Sequence, residues 1–224
     1  MNEFKFSRPN NFPPVIKYLI AINVVVWLAQ LVFDKQYGDI STGNLWLTDK
    51  LALYSIGSPD FKIYQVLTHM FTHASYGLNG GIQFSHILFN MFALWTFGKT
   101  LENVWGPERF LNFYLLSGIG AAAVHLIVQL LAGGYGMAVG ASGAVMGVLV
   151  GFAYLFPNTE LYILFIPFPI KAKWAVIGYV LIDLFGGVAS VSGDNIAHFA
   201  HLGGALTGFL LVRFWNKNNR RGFY

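Results

Sequence analysis

The sequence predicts an all-α, polytopic membrane protein: six spanning helices with both termini on the cytoplasmic side. Three observations carry that prediction. Of 224 residues, 55% are apolar and only 11% charged, whereas soluble domains carry about 25% charged residues. Six apolar runs are long and nearly free of charge, as membrane-spanning helices are. Lys and Arg, finally, gather in alternate connections between those runs. Backbone polar groups in lipid need partners within their own segment, so such runs are helical, and the alternating segments of a β-barrel are absent. The six runs use up most of the chain, which is read as a single membrane domain over residues 1–224.

The first run, Val15–Phe33, is longer than a signal-peptide core and no small-residue cleavage site follows, so it is read as a retained span. Residues 34–83 form an external loop. The second run, Phe84–Leu101, carries His86 and Asn90 near its start. The third, Phe110–Leu131, has His125 midway, read as an interior residue without a role. In the fourth, Val139–Phe156, Ser142 stands among glycines, and Gly143, Gly147 and Gly151 recur at four-residue spacing. The fifth, Lys173–Val188, is a little short. It follows the Pro-broken "FIPFPIK" (Phe165–Lys171), assigned to the cytoplasmic interface, and ends near Gly186 and Gly187, a candidate gate. The sixth, Asn195–Trp215, carries His198, His201, Gly204 and Gly208.

Orientation follows from the basic residues. One side holds eleven: Lys5, Arg8, Lys17, Lys99, Arg109, Lys171, Lys173, Arg213, Lys217, Arg220 and Arg221. The other holds three, Lys35, Lys50 and Lys62. The richer side is cytoplasmic, N-in and C-in. A pI near 9.2 therefore reports topology and anionic lipid rather than nucleic acid. With no cysteine, disulfides and thiolate metal sites are excluded.

In this orientation the second, fourth and sixth helices all start at the outer face. His86, Asn90, Ser142 and His201 then share one depth, within roughly 10 Å of the outer boundary at a rise of 1.5 Å per residue. Polar groups inside a membrane are costly and face the bundle interior or a wet cavity. A serine hydroxyl becomes a nucleophile when a base takes its proton, and histidine is the usual base. Small-xxx-small faces let the fourth and sixth helices approach closely, and His201, Gly204 and Gly208 share one helix face. His86 and Asn90, spaced i, i+4, offer ring and amide N–H donors for an oxyanion. The Ser142 backbone N–H, at a helix N-terminus, offers a third. No acidic residue is an obvious third member; Asp183 and Asp194 sit near the outer helix ends. A Ser-His dyad is the economical reading.

"GASG" around Ser142, "HILFN" from His86 to Asn90 and "AHLGGALTG" around His201 together resemble a rhomboid intramembrane serine protease of the bacterial six-helix type. The resemblance covers nearly the whole chain, and "LENVWGPERF" adds the family's E-x-x-x-G-x-x-R-F connection, with Glu102, Gly106 and Arg109 structural. It implies Ser142 as nucleophile and His201 as general base, then acid. It also implies an oxyanion hole of His86, Asn90 and the Ser142 amide. Gly140, Gly143, Gly147, Gly204 and Gly208 are close-packing residues; His69, His73 and His198 belong to the loop or water path. The implied substrate is a single-spanning membrane protein cut in or near the outer end of its helix. The implied setting is the bilayer of a bacterial cytoplasmic membrane, with no cofactor and no metal. Three positions depart from the pattern. Met146 replaces an aromatic four residues after the serine, Tyr64 and Gln65 replace a Trp-Arg pair, and Tyr76–Gln83 lengthens the loop before His86. The glycines of that insertion suggest a mobile loop over the site entrance.

Other classes fare worse. His69/His73 and His198/His201 have metal-compatible spacing, but no H-E-x-x-H supplies a zinc-protease base. "VSGD" (Val191–Asp194) lies in a loop, and an aspartyl protease needs two aspartates deep in the membrane. A transporter predicts midplane charges or an inverted repeat, and neither is seen. His198 competes for the base role, but only His201 heads H-x-x-G-x-x-x-G. The strongest rival is a non-catalytic rhomboid-like binding or quality-control protein. Such relatives usually lose the serine or the histidine, and both are present. The oligomeric state is open.

Overall fold

The computed structural model describes residues 10–77, 79–132, 136–162, 167–189 and 195–218. Leu78, Gly133 to Tyr135, Ile163 to Ile166 (with the first two residues of "FIPFPIK"), Ser190, all of "VSGD", and the basic termini with Lys5, Arg8, Arg220 and Arg221 lie outside the described residues. The described chain is mostly helical. Its helices are α1 (Pro14–Tyr37), α2 (Trp46–Leu51), α3 (Gln65–Thr68), α4 (Phe84–Ala93), α5 (Lys99–Trp105), α6 (Pro107–Ala132), α7 (Ser142–Leu155), α8 (Ala172–Ala189) and α9 (Asn195–Asn218). Each apolar run of the sequence falls on one of these helices or on a continuous helical stretch. Two short antiparallel ladders complete the fold: β1 (Leu53–Tyr54) pairs with β2 (Met137–Ala138), and β3 (Glu160–Leu161) with β4 (Ile170–Lys171).

The run Phe84–Leu101 is not a plain α-helix. It passes from α4 through a π-helical stretch, Leu94–Gly98, into α5, and stops at Gly106, whose φ of +82° a side chain would resist. Pro14 opens α1 with no side-chain cap of its own. The buried Glu102 carboxylate supplies one from 86 residues away, accepting the Val15 and Ile16 N–H groups at 2.9 and 2.8 Å. These are orphan amides at a helix N-terminus, where a negative charge is favoured. Arg109 lies over the faces of Trp105 and Trp215, at 5.8 and 4.7 Å, clasping the same end of the bundle.

At the centre α9 packs against α6 and α7, with α8 along its side. The approach depends on glycine. A Cβ at Gly204 would run into the Gly143 carbonyl, and one at Gly208 would stand 2.6 Å from Gly147 Cα. Gly120 makes way for Thr207 and Gly203 for Val124. The distribution of polarity is inverted relative to a water-soluble protein. Asn23, Gln30, Asp34, Glu102, Gln129 and Asp183 are buried, while Val25, Phe89, Leu131 and Phe185 are exposed. Among the described residues, two helices, Pro14–Tyr37 and Pro107–Leu131, are long and apolar enough to cross a membrane by length and composition; α7 is apolar but shorter.

The stretch from 34 to 83 is an ordered cap. Asp34, at the end of α1, accepts hydrogen bonds from the Leu47 and Thr48 amides and from the Thr48 and Ser75 hydroxyls. Gln30 donates to the His73 carbonyl and accepts from its N–H. Gln65, which stands where the family pattern has arginine, is buried and gathers the Lys50 and Asp60 carbonyls. Beside it Ile63, Tyr64 and Leu67 are exposed. Within Tyr76–Gln83, of which Leu78 lies outside the described residues, the chain is hydrogen-bonded across a turn. Tyr76 bridges Ile82, Gly77 N–H bonds Gly81 O, Gln83 N–H bonds Ser75 O, and Tyr76 Oη donates to Leu31 O. Gly80, at φ +73°, lies in this turn.

Candidate active site

Ser142 is the first residue of α7. The chain reaches it through Gly140, at φ +121°, where glycine is the residue that fits; a Cβ there would also stand 2.9 Å from His86 Nε2. The cap holds this turn in place. Gly140 N–H donates to His69 O at 2.9 Å, Ala141 N–H points at His73 Nε2 at 3.5 Å, and the β1–β2 ladder pins the residues just before it. At the N1 position the Ser142 N–H has no partner within its helix. His69 and His73 are thus placed under the turn. Burial pushes the His69 imidazole down to about 4. It pushes His73 down to about 3, with the neighbouring His86 ring adding to the effect.

His201 comes from α9. Its Nε2 stands 2.8 Å from Ser142 Oγ. Close contact of Gly143 and Gly147 with Gly204 and Gly208 brings the two helices near enough for this pair to form. Behind the ring, Nδ1 faces Asp183 Oδ1 at 3.2 Å. The sequence offered no obvious acidic third member; the fold places a carboxylate behind the base. Asp183 lies in α8, buried, and reaches across to α9. His198 also bonds Asp183 Oδ1, at 2.8 Å, with its ring edge-on to His201. The signal for Asp183 was present in the sequence: a lone carboxylate inside an apolar run is a functional candidate by default. Its partner was hidden, because no spacing rule links α8 to α9. Asp194 lies outside the described residues.

His86 accepts the Ala74 N–H on Nδ1 at 3.2 Å, which puts the proton of the neutral ring on Nε2, the nitrogen beside Gly140. Asn90 spends one amide N–H on the His86 carbonyl, at 2.9 Å, and retains a second. A cavity of about 620 Å³ joins His86, Asn90, Ser142 and His201, walled on its apolar side by Met146 and Tyr179. Another, of about 350 Å³, meets the pair from the side of the cap and is lined by His69, His86 and His125. Gly186 and Gly187, near the end of the helix read as a candidate gate, lie against His198 and Phe199, where a Cβ at Gly186 would stand 2.7 Å from the His198 ring. A hydroxyl, an imidazole and a carboxylate in line, with ring, amide and helix N–H donors beside them, can deprotonate an alcohol and receive negative charge on an oxygen.

A family model described as the Rhomboid domain matches residues 60–217. The chain is 31% identical over 212 residues to YdcA of Bacillus subtilis, a candidate rhomboid protease by name, covering 92% of this chain and 94% of that protein. It is 34% identical over 130 residues to the mitochondrial presenilin-associated rhomboid-like protein of Bos taurus. It is 35% identical over 130 residues to the mitochondrial Rhomboid protein 1 of Saccharomyces cerevisiae. These matches span 58% and 57% of the chain but only 34% and 37% of the mitochondrial relatives, about a third of their length.

Proposed function

The chain belongs to the rhomboid family, and from that membership we propose that it is an intramembrane serine endopeptidase. In this reading all six helical stretches span the bilayer, N-in and C-in, and the protein sits in a bacterial cytoplasmic membrane; the near full-length likeness to a Bacillus protein supports that placement. Its substrates are single-spanning membrane proteins, cut in or near the outer end of the helix, and it uses neither cofactor nor metal for the reaction.

The observation that carries the reading is the 2.8 Å approach of His201 Nε2 to Ser142 Oγ. Asp183 accepts a hydrogen bond from the Nδ1–H of His201 and so leaves Nε2 free to accept one from the hydroxyl. Ser142 Oγ attacks the scissile carbonyl as His201 takes its proton. His86 Nε2–H, the free Asn90 N–H and the Ser142 amide receive the oxyanion. His201 returns the proton to the departing amine, and water then releases the acyl group by the same relay in reverse. The apolar wall with Met146 and Tyr179 suits a helix arriving from lipid; the cavity under the cap suits the water.

Ser142→Ala and His201→Ala should each abolish cleavage of a transmembrane reporter, and labelling of Ser142 by a fluorophosphonate, while the protein stays folded in detergent. Reporter cleavage that survives Ser142→Ala would remove the protease reading. A non-catalytic binding protein would instead leave the intact wild-type chain unlabelled.

A further inference from the structure

Asp183 serves two imidazoles, and only one of them faces the serine. His198 and His201 each direct Nδ1 at Asp183 Oδ1, at 2.8 and 3.2 Å, and one ligand atom from each of the three residues lies within 4.8 Å of the others. The H-x-x-H spacing supplies two ligands from one helix; α8 supplies the third from across the packing seam. The Asp183 side chain is 3% exposed, and its Oδ2 is buried with no partner among the described residues. His198, 31% exposed, opens the group to solvent.

We propose that Asp183, His198 and His201 bind a borderline-soft divalent cation, Zn²⁺ in the first instance, and that its binding switches the serine chemistry off. The second half rests on the protease reading above. Two imidazole nitrogens and a carboxylate oxygen are a zinc donor set, with water as the fourth ligand. A tetrahedral site with bonds of about 2.0–2.1 Å sets its ligand atoms roughly 3.3 Å apart; here each Nδ1 stands 2.8 or 3.2 Å from Asp183 Oδ1, and the three residues' ligand atoms lie within 4.8 Å of one another. Hard cations such as Mg²⁺ prefer all-oxygen sites.

Inhibition follows from proton bookkeeping on one ring. A neutral imidazole has one proton and one lone pair. With the cation on His201 Nδ1, the proton moves to Nε2. Nε2 then donates to Ser142 Oγ and no longer accepts from it, so the serine keeps its proton.

The test uses the full chain without an affinity tag, stripped by a chelator in detergent, with two readouts: Zn²⁺ binding by equilibrium dialysis and reporter cleavage. One Zn²⁺ should bind per chain, with loss of cleavage that EDTA reverses and Mg²⁺ does not reproduce. His198→Gln should weaken binding, and raise the half-inhibiting concentration relative to the variant's own metal-free rate, by about 10-fold or more. Ser142→Ala should bind Zn²⁺ as the wild type does. Absence of stoichiometric binding, or His198→Gln binding and being inhibited like the wild type, would overturn the site. Wild-type chain that binds Zn²⁺ and cleaves undiminished would overturn the inhibition. A chain that never cleaves, even when stripped, would fail the protease reading and the inhibition with it, while dialysis still decides the site.

Discussion

A single carboxylate oxygen organises the chemistry proposed at the residue scale. Asp183 Oδ1 accepts from His201 Nδ1 and thereby chooses which nitrogen faces Ser142. Asp183→Asn keeps the shape but can present an N–H to Nδ1, favouring the tautomer with its proton on Nε2. The expected result is a kcat lowered by up to about 10⁴-fold. KM and the unfolding temperature should barely move, which separates orientation of the base from general damage. Asn90→Ala removes one donor to the oxyanion and should cost about 2.7–4 kcal/mol in the barrier, measured as kcat on the same reporter. Asn90 and His86 could be named from their i, i+4 spacing. Asp183 could be noticed but not partnered, since its partners are set by where α8 lies against α9.

Between elements the decisive feature is the glycine seam of α7 and α9. Gly204→Ala would drive a methyl into the Gly143 carbonyl and force the helices apart just below the Ser142–His201 pair. Overpacking of this kind costs about 1–3 kcal/mol. Fluorophosphonate labelling should fall in parallel with a lowered unfolding temperature, though neither reacting residue is changed. Gly178→Ala, where an added Cβ meets nothing within 4 Å, is the control and should leave both readouts unchanged. The four-residue glycine repeat announced a close contact in the sequence. What it touched was legible only because two helices carried the same repeat. The π-helical stretch Leu94–Gly98 and the pairing of Tyr76 with Ile82 left no such trace: the second rests on backbone bonds that polar and apolar residues make alike.

For the whole molecule, the cap between α1 and α4 holds the turn that presents Ser142, through the His69 carbonyl and the His73 ring. Both imidazoles are held well below the ordinary histidine value of 6.5, at about 4 and about 3, chiefly by burial. The unfolded chain therefore binds more protons than the folded one between those values and 6.5. Stability should fall as pH drops below about 6.5 and continue to fall toward about 4. Thermal unfolding in detergent from about pH 7 to about pH 5 should show that loss. His69→Gln should flatten it if the variant folds; a slope unchanged in the variant would assign the acid sensitivity elsewhere.

Composition and pattern alone determined the helical class, the six apolar helical stretches, the small-residue faces, and the serine, histidines and asparagine gathered near one end. These properties are local: hydrophobic run length, i, i+4 spacing and glycine content are read along the chain. Tertiary structure alone decided that Glu102 caps a helix 86 residues away, that the segment between α1 and α4 is a hydrogen-bonded cap, and that Asp183 stands behind His201. Each of those is a contact between distant segments. A carboxylate finds its partner only after packing has set the helices' relative rotation and depth, and no periodicity in the sequence encodes either.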